Sequence, residues 1–400
     1  MKIRTPRLAI RVPGFRFGSA TAGFKPSGRS DVAVVVSDVP ATVAAAFTRN
    51  RVVAAPVVVA RAHVGGGKAR AVVVNSGNAN ACTGRPGIAV TRAACALAAR
   101  TLGVPARQVL PCATGKIGVQ IPRARLLAGV RAACAELSPA GFWQAAAAIT
   151  TTDAFLKGGA RRIDIGGRRI TIAAMAKGAG MIAPDLATLL VFGFTDARIG
   201  GAALRSALGA ALAGSFQSIT VDGDTSTNDT VILLANGMAG NAAIAGGTAA
   251  HRRFTAALAD LFAGLARLVV LDGEGATHCV EIVVRGASSE RAAARVARTI
   301  ATSTLTRAAL HGGDPNWGRI LCAAGYAGVP FDPGRCRISI GGVPVVRGGV
   351  GCGGERAAAQ RMQSREYGIV VDLGGGRGSA RVLAADLSPS YVRFNSAYST

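Results

Sequence analysis

Two patterns of apolar residues alternate along the chain. Short runs rich in Val and Ile, bounded by Gly, Pro or polar clusters, predict strands at 32–36, 52–59, 71–74, 169–172 and 189–194. Longer stretches rich in Ala and Leu predict helices at 88–99, 123–136, 202–213, 255–267 and 290–302. Strands and helices alternate only loosely, so the pattern fits a doubly wound sheet and a layered sandwich with helices outside two strand layers equally well. The fold class is therefore α/β.

Length and composition narrow the class of protein. The chain has 400 residues, of which 50% are hydrophobic and 17% charged. A chain of this length can bury a sizeable core, and this composition is not that of a disordered protein. Since no apolar run approaches the roughly 18 residues that a membrane span needs, we expect no membrane partner.

The charge is strongly unbalanced, with 46 Lys and Arg against 21 Asp and Glu and a net charge of +25. Such an excess is typical of nucleic-acid-binding proteins. However, the arginines are scattered among Ala, Gly and Val, and aromatic residues make up only 5% of the chain, so no platform for base stacking is evident. We therefore expect no nucleic-acid partner; the same field would steer anionic substrates.

The eight cysteines are widely spaced and contain no C-x-x-C pair. A zinc site is thus not expected, nor is any other metal. Several cysteines lie in Ala-rich apolar segments, which is typical of free thiols in a reducing compartment. The first thirty residues have no continuous apolar region followed by a cleavage site, so the predicted location is the cytoplasm.

Common catalytic and nucleotide-binding motifs do not match. Lys68 follows three glycines but precedes Ala69, where a Walker loop needs Ser or Thr. Residues 178–183 fit the dinucleotide-binding pattern G-x-G-x-x-A, but Pro184 and a predicted strand follow where that motif requires a helix. There is no G-x-S-x-G segment. The histidines show no triad partners at a recognisable spacing, and we expect ordinary polar roles for His63, His251, His278 and His311.

Several segments are too polar and too rich in Gly for an ordinary core, yet apolar strands flank them. Each could be a simple turn. Short hydroxyl and amide side chains beside Gly also let the backbone approach a ligand closely and offer many hydrogen-bond donors. These segments are 75–84, 113–118, 150–153, 176–188, 221–230, 272–277, 314–320 and 395–400.

Taken in order, these segments resemble those of the ornithine acetyltransferase family, also called glutamate N-acetyltransferases. The resemblance runs from Ala22-Gly23-Phe24-Lys25 to the terminal Asn395-Ser396-Ala397-Tyr398-Ser399-Thr400, nearly the whole chain. It implies an α-β-β-α layered sandwich of the self-processed N-terminal-nucleophile type. It also implies acetyl transfer from N2-acetylornithine to L-glutamate, with no cofactor, in an α2β2 assembly. Some members of the family accept acetyl-CoA as the donor as well.

The resemblance further implies that the chain cuts itself. The segment Leu186-Ala187-Thr188-Leu189-Leu190 is similar to the family's cleavage segment, and the break would fall between Ala187 and Thr188. An α chain of residues 1–187 and a β chain of residues 188–400 would result. Thr188 would then supply both a hydroxyl nucleophile and a free α-amine, whose pKa of about 8 suits a general base.

The remaining site residues also come from the resemblance. Thr114 and Gly115 would stabilise the oxyanion, while Ala113, Lys116 and His278 depart from the usual pattern. The substrate would contact Thr151, Lys177, Thr188, Glu274, Asn395 and Thr400, with Lys177 suited to a carboxylate and Glu274 to an amine. We expect Asp222, Asp224, Asn228 and Asp229 to hold the strand of the nucleophile.

Two alternatives remain open. A self-processed aminopeptidase of the same fold would use Thr188 in the same way, with water as the final acceptor. A basic nucleic-acid-binding protein could also have kept this scaffold and lost its catalysis.

Overall fold

The structure is a computed structural model that describes residues 8–183 and 189–397. Within these ranges the strands are β1 Phe15–Ala20, β2 Val32–Phe47, β3 Lys68–Asn78, β4 Val109–Lys116, β5 Lys157–Ile165, β6 Arg168–Lys177, β7 Leu190–Thr195, β8 Ile219–Thr220, β9 Thr230–Ala235, β10 Cys279–Ala287, β11 Arg337–Ile340, β12 Val343–Arg347, β13 Val350–Gly351, β14 Glu366–Asp372 and β15 Gly378–Ala385. The helices are α1 Ala55–Val64, α2 Gly84–Leu102, α3 Arg123–Ala135, α4 Phe142–Ile149, α5 Gly201–Ala213, α6 Ala249–Leu271, α7 Glu290–Thr302, α8 Thr304–His311, α9 Trp317–Gly325, α10 Glu355–Met362 and α11 Pro389–Ala397.

The strands form two sheets. Sheet 1 has the order β4-β3-β2-β9-β7-β6-β5, and β1 pairs with β2 outside this path. Sheet 2 has the order β13-β12-β11-β14-β10-β15-β8. Both sheets mix parallel and antiparallel pairs, as in the parallel pair of β3 with β4 and the antiparallel pair of β6 with β7. The expected α/β fold with two strand layers and flanking helices is confirmed.

Sheet 1 is buried on both faces, which explains the continuous apolar runs of its strands. In β2, Val32 and Val34 pack with helices α2 and α3, whereas Ala33 and Val35 face the opposite side, where α4 packs. The alternation is the two-residue period of a strand. On the same sheet, α5 packs on β2 and α6 packs on β5 and β6.

Helix α6 connects the two halves of the molecule. It packs on β5 and β6 of sheet 1 and also contacts β8, β10 and β15 of sheet 2. By length and composition alone this helix could cross a membrane. Its apolar side, including Phe254, Leu258 and Phe262, is buried against both sheets, so a core position accounts for its hydropathy.

The strand predicted at 52–59 is wrong, and the other predicted elements are confirmed. Residues Ala55–Val64 form α1, and Pro56 lies in its first turn. Proline suits the first turn of a helix, and Val57 and Val59 are buried while Val58 is 43% exposed. Packing of one helical face has thus overridden the β propensity of the valine run.

The expected cleavage point, Ala187–Thr188, lies outside the described residues, and the division into two chains stays a prediction. Strands β1 to β6 precede that point and strands β7 and β9 follow it. Since β7 lies between β9 and β6, the two predicted chains would share sheet 1 rather than form separate domains.

Candidate active site

A cavity of about 290 Å³ lies where β4 and β6 end. Loops from both sheets and the last helix complete its wall. The lining residues are Ala79, Thr114, Gly115, Ile117, Thr151, Thr152, Lys177, Gly180, Met181, Asp222, Asp224, Ser226, Thr227, Asn228, Glu274, Tyr391 and Asn395. Hydroxyl, amide, carboxylate and ammonium groups therefore face one small pocket.

Lys177 is the last residue of β6, and its side chain is buried. Its ammonium nitrogen donates a hydrogen bond to the Thr114 hydroxyl oxygen at 2.9 Å. Burial lowers the pKa of Lys177, and the nearby carboxylates of Asp153 and Glu274 act in the opposite direction. Because an ammonium group has three N–H donors, Lys177 can contact an anionic group as well as Thr114.

Gly115 occupies a backbone conformation that excludes other residues. Its φ is +128°, and a Cβ built on it would lie 2.3 Å from the carbonyl carbon of Gly77 on β3. The close approach of β3 and β4 at this point needs a residue without a side chain. The backbone of Gly115 is thereby presented to the cavity beside Thr114.

The opposite wall carries Glu274, which follows the end of α6. Its Oε2 accepts a hydrogen bond from Asn395 Nδ2 of α11 at 3.1 Å, and its backbone N–H donates to the Ala179 carbonyl oxygen at 2.7 Å. Gly180 lies directly beneath this carboxylate: a Cβ there would come within 2.3 Å of Glu274 Oε2. Glu274 and Asn395 are thus held together, although 121 residues separate them.

The loop before β9 forms a third wall. Asp222 accepts hydrogen bonds from the N–H groups of Met181 at 2.5 Å and Ile182 at 2.8 Å, yet burial raises its pKa to about 6. Asn228 Nδ2 donates to the carbonyl oxygens of Ala79 at 2.7 Å and Ala113 at 2.9 Å. These bonds fix the loop against β4 and against the segment that follows β6.

Asp229 contacts the start of β7. Its Oδ1 accepts a hydrogen bond from the Leu189 N–H at 3.0 Å, and burial raises the pKa of its carboxyl well above the ordinary value. Leu190 then pairs with Lys177 across the antiparallel β6–β7 ladder. The chain directly after the predicted nucleophile is therefore fixed next to Lys177.

The structure brings most of the predicted site residues together. Five separate stretches of sequence supply the lining residues Thr114, Gly115, Thr151, Lys177, Glu274 and Asn395. Ala187, Thr188 and Thr400 lie outside the described residues. The individual roles assigned to these residues stay predictions.

Of the four residues expected to hold the strand of the nucleophile, Asp229 makes such a contact. Asp222, Asp224 and Asn228 line the cavity itself. Their segment is one of the polar stretches predicted from the sequence, whereas the lining residue Tyr391 lies outside all of those stretches.

One histidine has a partner that sequence spacing did not indicate. His311 Nδ1 lies 2.9 Å from Asp386 Oδ2, which also accepts from the Thr277 hydroxyl at 2.6 Å. Asp386 and His311 are 75 residues apart. The group is not part of the cavity lining, and it joins the start of β10 to α8 and to the end of β15.

The fold and the cavity define an α/β protein with a small pocket lined by polar groups, a kind of site that suits a small molecule. The ArgJ family model matches residues 16–400. The chain is 46% identical over 390 residues to the arginine biosynthesis bifunctional protein ArgJ of Symbiobacterium thermophilum, with 97% of each chain covered. It is 45% identical to the protein of the same name from Geobacter sulfurreducens, with 98% of this chain and 100% of the relative covered.

Two solved structures are also similar. The arginine biosynthesis bifunctional protein ArgJ from Bacillus halodurans is 37% identical, with a TM-score of 0.49, over 51% of this chain and 96% of that one. Ornithine acetyltransferase from Mycobacterium tuberculosis, complexed with ornithine, is 38% identical, with a TM-score of 0.39, over 45% of this chain and 97% of that one.

The chain belongs to the ArgJ family. The resemblance stated from the sequence is confirmed, and with it, at the level of the family, an acyltransferase of arginine biosynthesis.

Proposed function

We propose that this chain is a self-processed acetyltransferase that moves an acetyl group from N2-acetylornithine to L-glutamate. One observation carries the proposal. Six residues that the family resemblance assigned to the reaction, from opposite ends of the sequence, line one cavity of about 290 Å³. Family membership over residues 16–400 supports the same activity.

The contact between Lys177 and Thr114 suits an oxyanion site. Because Lys177 donates to the Thr114 oxygen at 2.9 Å, the Thr114 hydroxyl proton is left to point elsewhere. Together with the Gly115 backbone, it would offer donors to the oxygen that gains charge as the acetyl carbonyl is attacked. Donors fixed in advance at such a position are worth several kcal/mol, about 3 to 4 each.

The transfer would run in two steps through Thr188. In the first, the Thr188 oxygen bonds to the acetyl carbon, the bond from that carbon to the ornithine nitrogen breaks, and the hydroxyl proton passes through the α-amine to the leaving nitrogen. In the second, the glutamate nitrogen attacks the ester, the bond to the Thr188 oxygen breaks, and a proton from the glutamate nitrogen passes through the α-amine to that oxygen. Both amino acids would occupy the same cavity in turn.

The α-amine that serves as base would be released by cleavage between Ala187 and Thr188. Two contacts support this position for the nucleophile. The next residue, Leu189, donates its N–H to Asp229, and Leu190 pairs with Lys177. The nucleophile would therefore precede a strand that pairs with Lys177, and the Lys177 ammonium group contacts Thr114, the proposed oxyanion donor.

Size and charge of the cavity support an amino-acid substrate. About 290 Å³ lies at the lower limit of typical ligand pockets and suits a small molecule rather than a polymer. Lys177 would bind a carboxylate of the substrate, whereas Glu274 would bind an amine. A pocket of this size gives no support to the nucleic-acid-binding alternative.

Further features of the proposal concern the donor, the assembly and the location. The relatives from Symbiobacterium thermophilum and Geobacter sulfurreducens are named bifunctional proteins, which favours a second activity, and acetyl-CoA is the donor that we expect for it. We also propose an α2β2 assembly of the processed chains, no bound cofactor, and a cytoplasmic location. All eight cysteines are free thiols, as expected in a reducing compartment.

Intact-mass measurement combined with a transfer assay tests the proposal. The wild type should give two masses, for residues 1–187 and 188–400, and should form N-acetylglutamate from N2-acetylornithine and glutamate. Thr188→Ala should give one full-length mass and no transfer. A folded wild type that stays uncut and inactive would remove both the processing and the reaction.

A further inference from the structure

A fully buried lysine lies on β5, outside the cavity lining. The side chain of Lys157 is 0% exposed, and its ammonium nitrogen donates to Asp153 Oδ1 at 2.7 Å and to Asp272 Oδ2. Both carboxylates are also shielded from solvent, with side-chain exposures of 0% and 2%. One cation therefore balances two buried anions, an arrangement that is costly to build unless all three groups stay paired.

Asp153 uses its remaining acceptor capacity on the backbone of two cavity walls. Its Oδ2 accepts from the N–H of Thr151 at 2.9 Å, and its Oδ1 also accepts from the N–H of Gly178 at 2.8 Å. Thr151 lines the cavity, and Gly178 directly follows Lys177. Burial acts to raise the pKa of Asp153, but the Lys157 and Lys177 ammonium groups bring it well below its ordinary value, so this carboxylate is charged.

Asp272 likewise connects Lys157 to the backbone, at the cavity wall that carries Glu274. It terminates α6, accepts from the Ala154 N–H at 3.1 Å, and precedes Glu274 by two residues. Glu274 in turn donates its N–H to the Ala179 carbonyl oxygen at 2.7 Å. The loop that bears Glu274 is thus joined to the segment after Lys177 both directly and through Lys157.

We propose that Lys157 is a positioning residue that sets the separation between the Lys177 and Glu274 walls of the cavity. The inference rests on the proposed function, in which those walls bind the carboxylate and the amine of one amino acid. Without the ammonium group, Asp153 and Asp272 would be two buried carboxylates with no cation between them. Repulsion or protonation of one of them would release the backbone groups that they hold.

A purely stabilising ion pair would behave differently. Its loss would lower the melting temperature and leave ligand binding by the folded protein unchanged. A positioning role instead requires that ligand affinity falls in protein that is still folded, because the two charged ends of the ligand no longer meet both of their partners. Small displacements in such a site can change rates about a hundredfold.

Strand β5 offers a matched control. Arg161 lies four residues after Lys157 and pairs with Asp260 at 2.5 Å, but these side chains are 43% and 67% exposed. Arg161→Gln removes an ion pair from the same strand without touching the cavity. Any effect of losing one charge from β5 can therefore be separated from the effect of Lys157.

The test measures binding of L-ornithine to the purified full protein by isothermal titration calorimetry, together with KM and kcat for transfer. For Lys157→Met that is folded by circular dichroism, we expect Kd and both amino-acid KM values to rise about tenfold or more. Arg161→Gln should stay within about twofold of the wild type. Lys157→Met that binds ornithine within about twofold of the wild type would overturn the inference.

A second variant keeps the test decisive if Lys157→Met does not fold. Asp272→Asn keeps an oxygen acceptor for Ala154 and removes one charge from the network, and its Kd should rise in the same direction. An unchanged Kd in folded Asp272→Asn would then reject the positioning role. The two proposals also separate, since a wild type that neither binds ornithine nor transfers acetyl fails the proposed function, whatever the variants do.

Discussion

Lys177 and Thr114 meet inside the cavity, where the lysine ammonium nitrogen lies 2.9 Å from the threonine hydroxyl oxygen. The residues lie on different strands, β6 and β4, and 63 positions separate them in the sequence. Each side chain is buried. The contact gives the threonine hydroxyl a fixed orientation, which is the property that an oxyanion donor needs.

Replacing Thr114 tests that role. Thr114→Ala removes the hydroxyl, and we expect self-cleavage and acetyl transfer to slow by about a hundredfold or more. Cleavage can be followed by intact mass and transfer by a discontinuous assay. Thr114→Ser keeps the hydroxyl and serves as the control, with rates much closer to those of the wild type. Equal rates in wild type and Thr114→Ala would place the donor elsewhere.

A substitution at Gly180 tests whether the Glu274 carboxylate binds the substrate. In Gly180→Ala, the new Cβ would lie 2.3 Å from Glu274 Oε2, so the carboxylate must move away from the Asn395 amide. We expect KM for both amino acids to increase about tenfold, with little change in melting temperature. Gly209→Ala is the matched control, because nothing lies within 4 Å of a Cβ at that exposed position in α5. If KM is unchanged in Gly180→Ala, the carboxylate does not bind substrate.

The pH dependence of stability tests the burial of Asp222. Its pKa is raised to about 6 in the folded protein, from an ordinary value near 3.8. The folded state thus binds this proton more tightly than the unfolded state, and the stabilising contribution is complete below about pH 4 and lost as the pH rises through 6. The difference between the folded and unfolded pKa values of Asp222 corresponds to about 3 kcal/mol.

The variant Asp222→Asn cannot titrate at this position. In urea titrations, the free energy of unfolding of the wild type relative to Asp222→Asn should therefore be greater at pH 5 than at pH 8. Comparing the two proteins at each pH cancels the other titrating groups, among them Asp272, whose pKa burial also raises to about 6. The same difference at both pH values would show that Asp222 titrates normally.

Many strands and helices were predictable because the pattern of apolar residues within each short segment indicates its secondary structure. The valine run at 32–36 alternates between two buried faces, and the run at 189–194 has the short apolar form of an interior strand. The helix predicted at 290–302 agrees with α7, whose N-terminal Ser289 accepts a hydrogen bond from the Ala292 N–H. The strand predicted at 52–59 was wrong because burial of one helical face outweighs the β propensity of the valines.

The candidate site was predictable in a different way. Polar, Gly-rich segments between apolar strands indicated where chemistry could lie, and their order identified the family. Neither spacing nor composition indicated that Thr114, Lys177 and Glu274 share a cavity, and Tyr391 was missed because nothing near it in the sequence is unusual.

The sequence by itself determined the family, most of the elements and the kinds of side chain available for chemistry, since periodicity and short motifs are properties of neighbouring residues. Only the tertiary structure decided which of these residues meet. Lys157 pairs with Asp272, 115 positions away in the sequence, and His311 contacts Asp386, 75 positions away. Such contacts depend on how helices and sheets pack, and packing is set by the whole core rather than by the local sequence around either partner.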